Sequence, residues 1–198
     1  MKQGMILFCI IFFCTNIAFA QQGLSNLKSH AVMILDTKNN DVIYDKNANN
    51  IMPIASITKL MTAMVILDAQ LSLDEKIMID GADVDRLKHT RSRLHTGTSY
   101  ARHELMRLSL MSSENRAAAA LGRTYPGGTS AFVTAMNRKA FDLGMYSTYF
   151  VEPTGLSSGN VSTARDLAKM VAASNDYGVI REFSTTSQHV VSPQNKSN

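Results

Sequence analysis

The stretch PIASITKLMTAMVILDA, residues 53–69, decides how the rest of the chain is read. From Ser56 onward it carries Ile57, Leu60, Met61, Ala63, Met64, Val65, Ile66 and Leu67, apolar on nearly every side of a helical wheel. A helix of that kind belongs inside a core rather than on a surface. Pro53 stands just ahead of it, where proline suits the approach to a helix start. Lys59 is the one basic residue between Lys46 and Lys76, and no carboxylate between Asp45 and Asp68 can pair with it locally. An ammonium buried without a partner is costly, and the usual relief is a lowered pKa. Ser56 sits three positions earlier, one turn away on the same face. A hydroxyl beside a desolvated amine is a pairing that activates serine without histidine.

Spacing alone leaves two readings open. Ser25 and Lys28 repeat the Ser-x-x-Lys interval. A lysine on an apolar helix can also run its stem along the surface and bring its head to water. A second polar motif, Ser113-Glu114-Asn115, falls between helices expected over residues 102–111 and 116–123. A serine in such a loop can relay a proton, and an asparagine can hold a peptide with both its donor and its acceptor. The plainer reading makes Ser113 the cap of the helix opening at Arg116. Ser158-Gly159-Asn160 shows the same interval.

Working outward, residues 1–20 (MKQGMILFCIIFFCTNIAFA) combine Lys2, an apolar run and Ala18-Phe19-Ala20, the pattern of a secretory signal peptide. The apolar run is too short for a spanning helix, which needs roughly 20 residues, and no later stretch is long enough either. Both cysteines, Cys9 and Cys14, fall in this leader, so the mature chain, 21–198, is expected to have no disulfide and no Cys-ligated metal. Without Lys2 it holds 19 basic against 16 acidic residues, net +3, too mild to mark a nucleic-acid binder. The basic stretch 86–107 reads as a solvated face diluted by Asp83, Asp85 and Glu104.

Residues 30–36 and 41–45 alternate as a β-hairpin around Thr37-Lys38-Asn39-Asn40, and 73–79 reads as an extended connector. Further helices are expected over 129–143, stopped by Gly144, and over 163–173 with Ser162 as cap, while 150–160 is a loop and 179–191 is ambiguous. Helices with only a few strands indicate an α+β fold.

Two signals mislead. His103-Glu104-Leu105-Met106-Arg107 is one residue short of a zinc-binding H-E-x-x-H, because arginine cannot ligate a metal. No metal and no cofactor are expected. Gly155-Leu156-Ser157-Ser158-Gly159 fits G-x-S-x-G literally, but lacks the strand before it and the helix directly after that a nucleophile elbow needs. None of the five histidines is marked as a base.

Five stretches in order carry a resemblance: 53–69, the run RSRL at 91–94, LMSSENRAAAALGRTYPGG at 110–128, AFVTAMNRKAFDLGM at 131–145 and FVEPTGLSSGNVSTARDLAKMV at 150–171. Together they resemble the penicillin-recognising serine D,D-peptidases, and among them the periplasmic D-alanyl-D-alanine endopeptidases of the low-molecular-weight penicillin-binding proteins. The resemblance implies an incomplete β-lactamase/transpeptidase-like fold, a helical cluster plus the remnant of an antiparallel sheet. It implies a periplasmic hydrolase acting on peptidoglycan peptides as endopeptidase or carboxypeptidase, with β-lactam antibiotics as acylating inhibitors. In that family's terms Ser56 attacks the carbonyl of a D-Ala peptide bond, Lys59 takes its proton, Ser113 shuttles it, and Asn115 binds the substrate amide. The role of the lysine as acylating base is disputed among related enzymes.

One departure stands against this. The family's third motif, K-T-G, has no counterpart here, nor does any K-[ST]-G. The family's K-T-G strand walls the cleft and supplies one of two oxyanion-hole N–H groups. The other, on the nucleophile, is retained at Ser56. Loss of one such donor typically costs ~10²–10³ in rate. The expectation is therefore a partial domain, loosely folded, with an unpaired sheet edge and weak or no catalysis. A truncated, murein-binding remnant is the alternative function, and a β-lactamase using Glu152 is a third.

Overall fold

The computed structural model describes residues 27–193. The expected signal peptide, with Cys9 and Cys14, lies outside the described residues. The described residues divide into two compact units, with the boundary between Ala48 and Asn49.

In the first unit β1 (Val32–Leu35) and β2 (Val42–Lys46) form the expected antiparallel hairpin, with a register slip between Ile34 and Leu35. Its turn is closed by Asp36, whose N–H donates to Asp41 O at 2.9 Å while its Oδ1 accepts from Lys38 N at 2.8 Å. Asn40 there takes φ 59°, a left-handed conformation asparagine tolerates. No side chain of either strand is fully buried.

The second unit is organised on α1 (Thr58–Asp68). Met61, Met64 and Ile66 are fully buried, and Thr58, Lys59, Thr62, Ala63 and Val65 are buried with them. The all-round apolar pattern has the expected cause. α1 packs against every other helix described: α2 (Arg102–Ser112), α3 (Asn115–Arg123), α4 (Gly128–Asp142), α5 (Ala164–Ser174) and α6 (Gly178–Ser184). Leu105, Met106, Leu121, Phe132, Met136 and Met170 complete that core.

Two small antiparallel pairs join the helices. β3 (Met52–Pro53) pairs with β6 (Val161–Ser162), and β4 (Lys76–Met78) pairs with β5 (Ser99–Ala101). Helices with small antiparallel sheets make this the α+β arrangement expected.

Several details correct the sequence reading. Residues 73–79 are not merely a connector, because β4 forms within them. Thr163, not Ser162, caps α5, its Oγ1 accepting from Asp166 N at 3.1 Å; Ser162 is committed to β6. Arg102 is no part of a solvated face: it is buried and pairs with Glu75 at 2.5 Å. The ambiguous C-terminal run begins as α6.

Candidate active site

The chain enters α1 through a 3₁₀ turn, Ala55–Ile57, that follows directly on β3. Ala55 holds φ 46°, a left-handed conformation that costs a non-glycine residue stability. Gly155, φ 84°, lies against this peptide so closely that a Cβ on it would fall 2.0 Å from Ala55 O and 2.9 Å from Ser56 N. The turn leaves Ser56 exposed at the helix mouth and sends Lys59 inward, 2 % exposed.

Lys59 does not snorkel. Its Nζ lies 3.0 Å from Ser56 Oγ, 2.8 Å from Asn115 Oδ1 and 2.6 Å from Thr154 O. Burial lowers its pKa from 10.5 to about 8, and the more distant carboxylates of Glu152 and Glu114 only partly oppose that shift. A substantial fraction of the amine is then neutral near pH 8.

Ser113 is set differently from the plainer expectation. It ends α2 in a left-handed conformation, φ 56°, and its hydroxyl donates to Ser56 Oγ at 2.7 Å. The cap of α3 is Glu114, whose Oε1 accepts from Arg116 N at 3.1 Å. Releasing Ser113 from capping frees its hydroxyl for Ser56. Asn115, first residue of α3, bridges Lys59 through Oδ1 and Thr90 through Nδ2, the latter at 3.0 Å. The fold thus brings together all four residues singled out, Ser56, Lys59, Ser113 and Asn115, from two segments about 57 positions apart.

The remaining wall is the loop 150–160. Glu152 holds it from inside: Oε2 accepts from Thr154 N at 2.6 Å and Thr154 Oγ1 at 2.5 Å, and Oε1 from Gly155 N at 2.7 Å and Asn160 Nδ2 at 2.9 Å. Asn160, fully buried, returns Oδ1 to Val151 N at 2.7 Å and reaches Thr58 Oγ1 at 3.0 Å, tying the loop to α1. Thr62 Oγ1 donates to Pro153 O at 2.7 Å from the next turn of the same helix. Glu152 therefore faces its own loop's donors, and G-L-S-S-G is a loop rather than a nucleophile elbow.

Beside the cluster opens a pocket of about 340 Å³ lined by Val84, Leu87, Asn115, Ala119, Thr154 and Leu156 among others; Ser56 is not in its lining. Among the described residues no group of three or more His, Cys, Asp or Glu side chains is placed to hold a metal ion.

A buried amine against an exposed serine, a second serine on that hydroxyl and an asparagine on the amine is the chemistry of nucleophilic acyl transfer. The family model for D-alanyl-D-alanine carboxypeptidases, the S11 peptidases, matches residues 17–198. This chain belongs to that family. The D-alanyl-D-alanine endopeptidase of Escherichia coli is 50% identical over 169 residues, 85% of this chain and 54% of that protein. Among solved structures, a variant of a Streptomyces DD-transpeptidase superposes with TM-score 0.81 at 26% identity, over 86% of this chain and 70% of that one. Penicillin-binding protein D2 of Listeria monocytogenes, in a cefotaxime-bound form, gives TM-score 0.64 at 33% identity over 76% of this chain and 63% of that one. This D-alanyl-D-alanine carboxypeptidase family member shares the transpeptidase-like fold of those neighbours. It spans about half the length of the curated relatives it matches.

Sequence reasoning did not mark Thr90 or Thr154 as partners of the cluster. Thr154 acts through a main-chain carbonyl, which no residue type announces, and Thr90 arrives on an irregular segment. Glu152, the residue named for the β-lactamase reading, holds the 150–160 loop together here.

Proposed function

We propose that this chain carries the acylating centre of an exported, periplasmic serine D,D-peptidase acting on D-Ala peptide bonds of peptidoglycan. Ser56 is the nucleophile, Lys59 its base, Ser113 the relay to the leaving amine and Asn115 the group that holds the substrate amide. The observation that carries this reading is the Lys59 amine, sealed from water with its Nζ 3.0 Å from Ser56 Oγ while Ser113 meets the same oxygen. The relatives' names, both endopeptidase and carboxypeptidase, support the substrate class. β-Lactams are the expected covalent inhibitors, since they present an acyl group to the same serine.

The test is incubation of the purified chain with a labelled penicillin. Ser56 should carry the adduct by mass spectrometry and Ser56→Ala should carry none; a demonstrably folded wild-type chain without label overturns the activity. Rapid release of hydrolysed penicillin would instead favour the β-lactamase reading. Crosslinked muropeptide against pentapeptide as substrate separates endopeptidase from carboxypeptidase.

A second reading rests on the sequence, which holds no K-[ST]-G. In it residues 1–20 are a signal peptide and 21–198 a partial domain, a catalytically impaired fragment or murein-binding remnant. Sequencing the DNA beyond the codon for Asn198 decides it: an early stop or frameshift followed by an in-frame K-T-G marks the fragment.

A further inference from the structure

The polar groups behind Asn115 run in one direction. Asp85 is buried, and its carboxylate accepts from Leu87 N at 2.8 Å, Lys88 N at 3.0 Å, Thr90 N at 2.9 Å and Thr90 Oγ1 at 2.7 Å. Burial alone would raise the pKa of this carboxyl, but the N–H groups of Lys88 and Thr90, the Thr90 hydroxyl and the Leu87 N–H together hold it below the usual carboxylate range. An ionised carboxylate only accepts, so the Thr90 proton is committed to Asp85 and the Thr90 oxygen is left as an acceptor. Asn115 Nδ2 fills that place at 3.0 Å.

The amide of Asn115 then has one workable orientation. Its Oδ1 faces Lys59 Nζ at 2.8 Å. The reverse orientation would set two acceptors against each other at Thr90 and bring N–H donors against the amine. Lys59 as an ammonium gives one N–H to each of its three oxygens. Once neutral it keeps two, and the carbonyls of Thr154 and Asn115 accept only, so they retain both. The lone pair is left facing Ser56 Oγ.

We propose that Asp85 and Thr90 are positioning residues for the Lys59–Ser56 pair, locking the Asn115 amide so that the neutral amine's lone pair is aimed at the Ser56 hydroxyl. The inference rests on the acyl-transfer reading above. In that step the Ser56 proton passes to Lys59 Nζ, the Ser56 Oγ–carbon bond forms, and the carbonyl π pair moves onto its oxygen. Asn115 Nδ2 retains its second hydrogen for a substrate carbonyl.

The experiment compares Thr90→Val, Thr90→Ser and wild type by two readouts. The first is the rate of Ser56 acylation by a fluorescent penicillin; the second is the Lys59 titration midpoint, followed by NMR of its ¹³Cε. The charged groups that act on Lys59 are Glu152 from the 150–160 loop and Glu114 from the α2–α3 junction, and both are untouched by the substitutions. Thr90→Val should acylate at least ~10-fold more slowly, because a misaimed base costs orientation rather than binding. Its Lys59 midpoint should fall by roughly half a unit, as the ammonium loses a fixed acceptor. Thr90→Ser should restore both, the rate to within about threefold and the midpoint to the wild-type value.

A Thr90→Val chain with wild-type rate and midpoint overturns the proposal, as does a Thr90→Ser chain as impaired as the valine variant. Should wild type not be acylated at all, the enzymatic reading fails, and the midpoint alone decides the positioning: a fall supports it and no change overturns it. If Thr90→Val does not fold, Thr90→Ala serves for the same two readouts.

Discussion

The β1–β2 hairpin and the 150–160 loop hold their shapes by opposite means. The hairpin has an antiparallel ladder, slipped once between Ile34 and Leu35, and a closed turn, yet none of its strand side chains is fully buried. The loop has almost no regular structure, yet Pro153, Thr154, Gly155 and Asn160 are buried, and the carboxylate of Glu152 and the amide of Asn160 gather its backbone groups. A ladder bond in water replaces one to solvent and nets little, whereas a buried donor left without its acceptor forfeits its whole desolvation cost. Conformation around Ser56 should therefore be more sensitive to the loop than the hairpin's shape is to its own strands. Stability measurements can attack that contrast from both ends.

The largest effect is expected at Gly155. An alanine there would place its Cβ 2.0 Å from Ala55 O with the backbone at φ 84°. Two backbones cannot both keep their positions, so Gly155→Ala should cost about 3 kcal/mol or more in urea denaturation. It should also abolish labelling of Ser56 in whatever fraction remains folded. A Gly155→Ala chain with the wild-type midpoint and label would show that the loop does not set the turn at Ala55 and Ser56.

Glu152→Ala comes next. It strands the N–H groups of Thr154 and Gly155 and removes one acceptor from the Asn160 Nδ2 donor, and should cost about 3 kcal/mol by the same denaturation. Loss below about 1 kcal/mol would mean that water replaces the carboxylate, and that the loop is less dry than its hydrogen bonds imply.

Legibility followed the same divide. The core position of α1 and the Ser56–Lys59 pair could be read directly, because an all-round apolar run and an isolated lysine are properties of consecutive residues. Ser113 and Asn115 were legible as a motif but not as a geometry: the expected helix-capping role of Ser113 goes to Glu114, since a left-handed turn at Ser113 turns its side chain to Ser56 instead. The β3–β6 pairing, two residues each, joins Met52 to Ser162 and Pro53 to Val161 across more than half the chain and leaves no periodic trace. Thr154 and Thr90 join the cluster only through tertiary placement of a carbonyl and a loop hydroxyl. What sequence withheld is mostly what irregular backbone supplies.

The dry end of the comparison also carries a pH signature. Folded Lys59 titrates near 8, and its unfolded value is 10.5. Between those values the unfolded chain holds a proton that the folded chain has released, so stability rises with pH from about 8 to about 10.5. Below 8 both states are protonated and the cost of burying the charge is fully present. The slope from this group should approach about 1.4 kcal/mol per pH unit in denaturation series across that window, and Lys59→Met should remove it. Ser56 acylation should rise through the same lower limit as the amine becomes neutral.

The smallest effect is expected in the hairpin. Ile43 is 60% exposed on β2 and Val42 is exposed beside it. Replacing Ile43 with threonine keeps the β-branched shape that suits a pleated strand, removes little buried area and leaves the ladder with Leu35, Ile34 and Met33 intact. Ile43→Thr should thus change stability by no more than about 0.5 kcal/mol, in either direction, and leave the Lys59 midpoint where it is. A loss of several times that size would mean that Ile43 is covered in solution by something its exposure does not show. The contrast between a hairpin held by its ladder and a loop held by its buried groups would then have to be redrawn.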